Sequence, residues 1–296
     1  VSTATAQGLP GLDRVPPMAL VLSGVTSIQF GAALAATLFD ELGPGGTSLL
    51  RLAFAAVILV AVVRPRLRGR SAHALWMAAA FGLALGAMNV FFYEGLDRVP
   101  LGIAVTIEFA GPLGVAVVMS RRRLDLVWAA MAAVGIVLLA AGGSGEGPGG
   151  LDPLGLAFCL AAAACWALYI LVAQRAGRLF DGTDGVALAM VVAALVPVVP
   201  GVLQGGTHLL HPGLLALGAA VALLSSVIPY TLETEALRRL PAHVFGVLMS
   251  LEPAVAALAG LVILGQALGA RDLVAMALVV AASIGVSRTA AAAPEA

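Results

Sequence analysis

The 296-residue chain has no lysine at all; its sixteen basic residues are every one arginine. That absence excludes a Walker-type phosphate loop and a lysine Schiff base. Charge of either sign is scarce, at 11% of residues, and the formal net charge is zero, so nucleic acid is not an expected partner. Cysteine is limited to Cys159 and Cys165, six apart in one apolar run. They read as core filling, with no redox role, metal or cofactor expected. His208 and His211 lie three apart in a short outer loop with no acidic or cysteine partner nearby, which gives no metal site. What remains is hydrocarbon. The chain is 61% hydrophobic with a mean hydropathy of +1.04. A soluble domain of that composition could not cover its surface with polar groups, so the chain reads as an all-α integral membrane protein.

A bilayer-spanning helix needs about 20 apolar residues. Ten such runs are expected, at 17–37, 47–63, 72–94, 101–119, 125–142, 153–174, 185–204, 213–234, 242–264 and 271–287. Residues 1–16 hold one arginine and two prolines, and no convincing cleavage site follows the first run, which therefore reads as a spanning helix. With a cytoplasmic N-terminus, thirteen arginines fall inside, namely Arg14, Arg64, Arg66, Arg68, Arg70, Arg121, Arg122, Arg123, Arg175, Arg178, Arg238, Arg239 and Arg288. Only Arg98 and Arg271 fall outside. That asymmetry predicts cytoplasmic N- and C-termini.

The chain also repeats itself. At an offset of 141 residues, Leu38-Phe-Asp40 falls on Leu179-Phe-Asp181, Leu96-Asp-Arg-Val-Pro100 on Leu237-Arg-Arg-Leu-Pro241, and Pro112 on Pro253. The expected organisation is a cytoplasmic segment 1–16, a five-helix repeat 17–142, a Gly-rich linker 143–152, a second five-helix repeat 153–288 and a tail 289–296. An odd number of spans per repeat inverts the second half, the architecture of secondary transporters with a cargo site near the midplane.

Two stretches concentrate the chemistry, Val105-Thr-Ile-Glu-Phe-Ala-Gly-Pro-Leu113 and Leu248-Met-Ser-Leu-Glu-Pro-Ala-Val255. Each sets a glutamate beside a proline inside an apolar run. A carboxylate at mid-membrane costs about 2.5–3.5 kcal/mol on insertion scales, and the proline breaks the helix by removing a donor. Glu108 and Glu252 are thus candidates to bind a cationic group, a proton, or both in turn, with Pro112 and Pro253 as helix breaks. The offset maps Glu108 onto Met249 and Glu252 onto Gly111, so the prolines are counterparts and the acids are not. A half-helix N-terminus could attract a carboxylate, which together with an acid would clamp a zwitterion. Asn89 and Tyr93 share one face of the third span, and Ser226, Tyr230 and Glu233 lie at i, i+4 and i+7 on the eighth; these residues could line the site or hold helices together. Glu94, Glu233 and Glu235 are expected at solvated helix ends, and Gln29 and Gln174 are weaker polar candidates. Arg51 is a possible charge partner for a buried acid, though snorkelling to the interface is the favoured expectation. Trp166 and Tyr169 are expected to pack within the sixth span. Gly82-Leu-Ala-Leu-Gly86 is a GxxxG of unspecified partner.

Phe92-Tyr-Glu-Gly-Leu-Asp-Arg-Val-Pro-Leu-Gly-Ile-Ala-Val105, Cys165-Trp-Ala-Leu-Tyr-Ile170, Ser226-Val-Ile-Pro-Tyr230 and Phe245-Gly-Val-Leu-Met-Ser-Leu-Glu-Pro-Ala-Val-Ala-Ala257 resemble the EamA branch of the drug/metabolite transporter superfamily, and within it the threonine/homoserine exporter type. The resemblance covers nearly the whole chain. It implies proton-driven efflux of small neutral amino acids by alternating access, without enzymatic activity. In one respect the chain departs from the family pattern: Leu264-Gly265 is followed by Gln266 where a glutamate is usual. The alternatives are export of another metabolite or drug on the same fold, a passive channel, or a membrane-embedded enzyme, for which no HExxH or aspartate pair is present.

Overall fold

The computed structural model describes residues 14–66, 69–119, 123–141, 151–180 and 183–291. The expected 1–16 segment, most of the 143–152 linker, Arg68, Arg121, Arg122, Asp181 and the tail beyond 291 lie wholly or mainly outside them. Among the described residues every regular element is a helix: α1 (Pro17–Ala36), α2 (Phe39–Val63), α3 (Ala72–Leu96), α4 (Leu101–Glu108), α5 (Ala110–Met119), α6 (Arg123–Ala140), α7 (Pro153–Ala176), α8 (Asp184–Leu195), α9 (Val198–Gly205), α10 (Pro212–Ala222), α11 (Ile228–Leu237), α12 (Ala242–Met249), α13 (Glu252–Leu264) and α14 (Ala270–Ala291). A backbone in hydrocarbon must satisfy its own hydrogen bonds, and helices do so within one segment.

Eight of these helices or near-continuous pairs are long and apolar enough to cross a membrane, and the bent pair α8 and α9 makes a ninth. The expectation of ten is therefore met only in part. The run expected at 125–142 forms the shorter apolar helix Leu124–Ala140. At 1.5 Å per residue it reaches roughly 25 Å, against a hydrocarbon core of about 30 Å. The span expected at 185–204 bends by 45° between α8 and α9, where Pro197 interrupts the backbone bonds. Valines and leucines such as Val57, Val62, Leu203 and Leu261 cover the outer surface, apolar side chains that only hydrocarbon would welcome.

Helix bounds recur at the sequence offset. Adding 141 to Ala72–Leu96 gives 213–237, which matches the course of α10 and α11, and adding it to Leu101–Glu108 gives 242–249, the bounds of α12. Packing recurs too. α3 lies along α7 as α11 lies along α1; α4 and α5 pack on α7 as α12 and α13 pack on α1; α6 and α14 pair with each other. Close approach is made by small residues. Gly82 and Gly86 of the GxxxG meet Ala189 and Ala193 of α8, so their partner is the second half's bent span. α4 is buried along its whole length, from Leu101 to Glu108, and forms the axis of the main core.

Candidate functional site

Three departures from regular helix shape the interior. The fourth span breaks at Phe109, between α4 and α5, and the ninth at Ser250 and Leu251, between α12 and α13. Pro112 has no N–H for the carbonyl of Glu108, four residues earlier, and Pro253 has none for that of Met249. In the eighth span a π-helical stretch, Leu223–Val227, joins α10 to α11. There Pro229 leaves the carbonyl of Ser225 without its i+4 donor. Other helices supply the missing hydrogens: Arg51 Nη2 donates to the Ser225 carbonyl at 3.0 Å, and Ser27 Oγ to that of Leu224 at 2.7 Å.

These irregular segments surround a cavity of about 280 Å³. This lies near the lower end of small-ligand pockets, roughly 300–1,000 Å³. Its walls carry Glu108, Glu233 and Glu252, the arginine Arg51, the amides Gln29 and Asn89, and Ser225, Ser226, Tyr230, Trp166 and Tyr169 among apolar side chains. Residues of α1, α2 and α3 meet those of α7, α11 and α13 there, so both sequence halves contribute.

Of the expected site residues, Glu108, Glu252, Asn89 and Tyr230 line the cavity. Glu108 and Glu252 are 7% and 4% exposed. Glu252 accepts a hydrogen bond from Gln29 Nε2 at 3.2 Å, and Asn89 Nδ2 donates to the Leu85 carbonyl at 2.9 Å. Among the described residues no basic side chain comes within 4.0 Å of Glu108 or Glu252. Tyr93 stands one layer back. It is wholly buried, its ring lies 5.5 Å from that of Phe39, and its hydroxyl accepts from Arg51 Nη1 at 3.1 Å.

Several expectations are corrected. Arg51 does not snorkel: it is 8% exposed, lines the cavity, and sits with its guanidinium carbon 5.5 Å from the Tyr93 ring centroid. Tyr93 and the freed Ser225 carbonyl hold it inward. Glu233 is not a solvated end residue but part of the cavity wall, and the i, i+4, i+7 spacing with Ser226 and Tyr230 was the available signal. Glu235 is buried and paired with Arg238 and Arg239 at 3.6 and 3.4 Å. Glu94 pairs with Arg98 at 3.0 Å and accepts from Gln204 Nε2 at 2.8 Å. Trp166 and Tyr169 pack as expected, against Phe109 at 5.4 Å and Phe81 at 5.2 Å, and also line the cavity. Gln29 lines it and Gln174 is exposed.

Outside the cavity, Gln266 Oε1 accepts from the Leu101 N–H at 2.9 Å and so caps the start of α4. Gln204 Oε1 does the same for Gly45 at 2.6 Å, just after Gly43, whose φ of +67° kinks the start of α2. Cys159 and Cys165 are free thiols. No group of three or more His, Cys, Asp or Glu at metal-binding spacing occurs among the described residues.

Comparison with known proteins places these features. The sequence pattern of the EamA-like transporter family matches residues 153–288. The threonine/homoserine exporter RhtA of Escherichia coli (strain K12) is 44% identical over 286 residues, 95% of this chain and 96% of that one. The protein of the same name from Salmonella typhimurium (strain LT2) is 43% identical over the same extent. A crystal structure sharing 21% identity superimposes with a TM-score of 0.59, over 92% of this chain and 98% of that one. At that identity the likeness concerns the fold.

Proposed function

The chain belongs to the EamA-like transporter family, and on that premise we propose that it is a secondary exporter of small neutral amino acids of the threonine and homoserine kind. The observation that carries the reading is the cavity. It has the size of a small metabolite, lies where the two halves meet, and is lined by three glutamates, two of them at helix breaks. A buried carboxylate without a fixed counter-ion takes its charge compensation from something that comes and goes, either a cationic cargo or a proton. That arrangement supports a reading of proton coupling and alternating access, the cargo and the proton using the same cavity. The recurrence of helix bounds and packing at one offset supports two inverted five-helix repeats, 17–142 and 153–288, with α6 as the tenth span. Distribution of the arginines favours cytoplasmic termini in the inner membrane.

On that orientation the cavity reaches toward the cytoplasmic ends of α3, α7 and α8, through Phe81, Tyr169 and Val186. On the opposite side Gln204 links Glu94 of α3 to Gly45 of α2. An exporter would load its cargo from such an inward-facing state. Glu108, Glu252, Asn89 and Tyr230 form the cargo and proton site, with Glu233 added to them and Tyr93 behind Arg51.

The test is reconstitution of the full chain into proteoliposomes with radiolabelled threonine, homoserine and a panel of other solutes under an imposed proton gradient. Gradient-driven movement of threonine or homoserine, lost in Glu108→Gln while the variant stays folded, is the expected result. Movement of other solutes only would give the fold a different cargo, and movement indifferent to the gradient would make the protein a passive carrier or channel. Normal gradient-driven transport by Glu108→Gln would remove that residue from the mechanism.

A further inference from the structure

Arg51 is a buried permanent charge with open hydrogen-bonding capacity. A guanidinium carries five N–H donors and keeps its charge at all cellular pH values. Here one donor goes to the Tyr93 hydroxyl and one to the Ser225 carbonyl. Both partners are neutral, and Nε has no partner. Among the described residues no carboxylate comes within 4.0 Å of its nitrogens. A buried arginine is normally closed by a carboxylate in ion-pair contact, because an unpaired charge out of water is costly. This one is pinned from behind by Tyr93 and by the carbonyl that Pro229 sets free, and it lines the cavity. The partner that would close it has to arrive from the cavity.

The helix start at the ninth-span break offers an incoming carboxylate little. Glu252 stands there itself, Pro253 has no N–H, and the N–H groups of Ala254 and Val255 go to the Leu251 carbonyl. In contrast, Arg51 presents its charge to the cavity that Glu108 also lines. An α-amino acid carries its ammonium and its carboxylate on one carbon, and a site for it needs a positive and a negative group lining one small cavity. Arg51 and Glu108 are that pair.

We infer that Arg51 is the carboxylate anchor of the cargo site, taking the α-carboxylate of the amino acid while Glu108 takes its ammonium. The inference rests on the exporter reading above and adds to it a specificity rule: the cargo must be a zwitterion with a free carboxylate. Amines, esters and amides of the same side chain are rejected because they leave the buried guanidinium unanswered.

Binding to the purified full-length protein tests this, read by tryptophan fluorescence, since Trp166 lines the cavity, alongside threonine counterflow in proteoliposomes. The two ligands are threonine and threonine amide, which keeps the ammonium and hydroxyl but has no carboxylate. Wild-type protein should prefer threonine by roughly ten- to a hundred-fold, the range of a hydrogen-bonded charge pair. Arg51→Gln should bind both ligands weakly and equally, and Arg51→Lys should regain part of the preference. Arg51→Gln with the wild-type preference would overturn the assignment. Should Arg51→Gln not fold, Arg51→Lys and Tyr93→Phe, which unpins the guanidinium, carry the comparison; a reduced preference in both supports the anchor and an unchanged one overturns it. Wild-type protein that neither binds nor exchanges threonine or homoserine sinks the exporter reading and this assignment together, whereas intact exchange with an unchanged preference sinks Arg51 alone.

Discussion

The two helix breaks are made by counterpart prolines, yet they leave their glutamates at opposite ends of a half-helix. Glu108 is the last residue of α4; Glu252 is the first residue of α13. The field at a helix start favours a carboxylate, and the field at a helix end favours a cation. Glu252 is further supported by Gln29, and Glu108 shares the cavity wall with Arg51. Packing explains why Glu252 is not duplicated. At the first-half counterpart of Glu252, a side chain on Gly111 would run into the carbonyl of Ala163 on α7. The counterpart of Glu108 is Met249, which lines the cavity without a charge. Counterpart breaks thus carry different chemistry. The contrast favours cargo binding at Glu108 and proton handling at Glu252.

The largest effect should come from Glu108→Gln, which removes the negative end of the proposed cargo pair: both gradient-driven transport and threonine counterflow should fall to background. Glu252→Gln should separate the two activities, keeping threonine counterflow while an imposed proton gradient no longer drives net movement; loss of counterflow as well would erase the proposed division of labour. The breaks also differ in what they tolerate sterically. Gly111→Ala should lower stability by about 1–3 kcal/mol, the usual cost of overpacking, measured by thermal or denaturant unfolding in detergent. Met249→Ala, on the cavity wall, should cost less and change transport instead. The smallest effect belongs to Gln266→Glu. The new carboxylate can still accept from the Leu101 N–H, so stability should change by no more than about 0.5 kcal/mol, and counterflow should be unchanged. A strong gain in proton coupling would show that the family's usual acid matters there.

Much of this site was legible along the chain. Glu108 and Glu252 stood out because a carboxylate inside an apolar run has few structural uses, and the prolines marked where backbone groups would be left free. Glu233 was visible through its spacing from Ser226 and Tyr230, but its place near a helix end argued for solvent. Arg51 was misread for a similar reason. Four residues into its expected span it looked able to reach water, and nothing local shows that Ser225, 174 residues later in the chain, offers it a carbonyl. Tyr93 and Asn89 share a helix face, yet one lines the cavity and the other braces Arg51 from behind, a distinction set by which neighbour each meets.

Hydropathy by itself determined the membrane class, the helical content and most span boundaries, because hydrocarbon demands long apolar helices wherever the chain crosses it. The helix breaks, and the offset of 141 residues at which helix bounds recur, were also written in residue order. Tertiary structure alone decided which polar groups converge. The cavity is assembled from side chains more than a hundred residues apart, and whether Arg51 meets water, a carboxylate or a freed carbonyl depends on how separate helices pack, which no local pattern encodes.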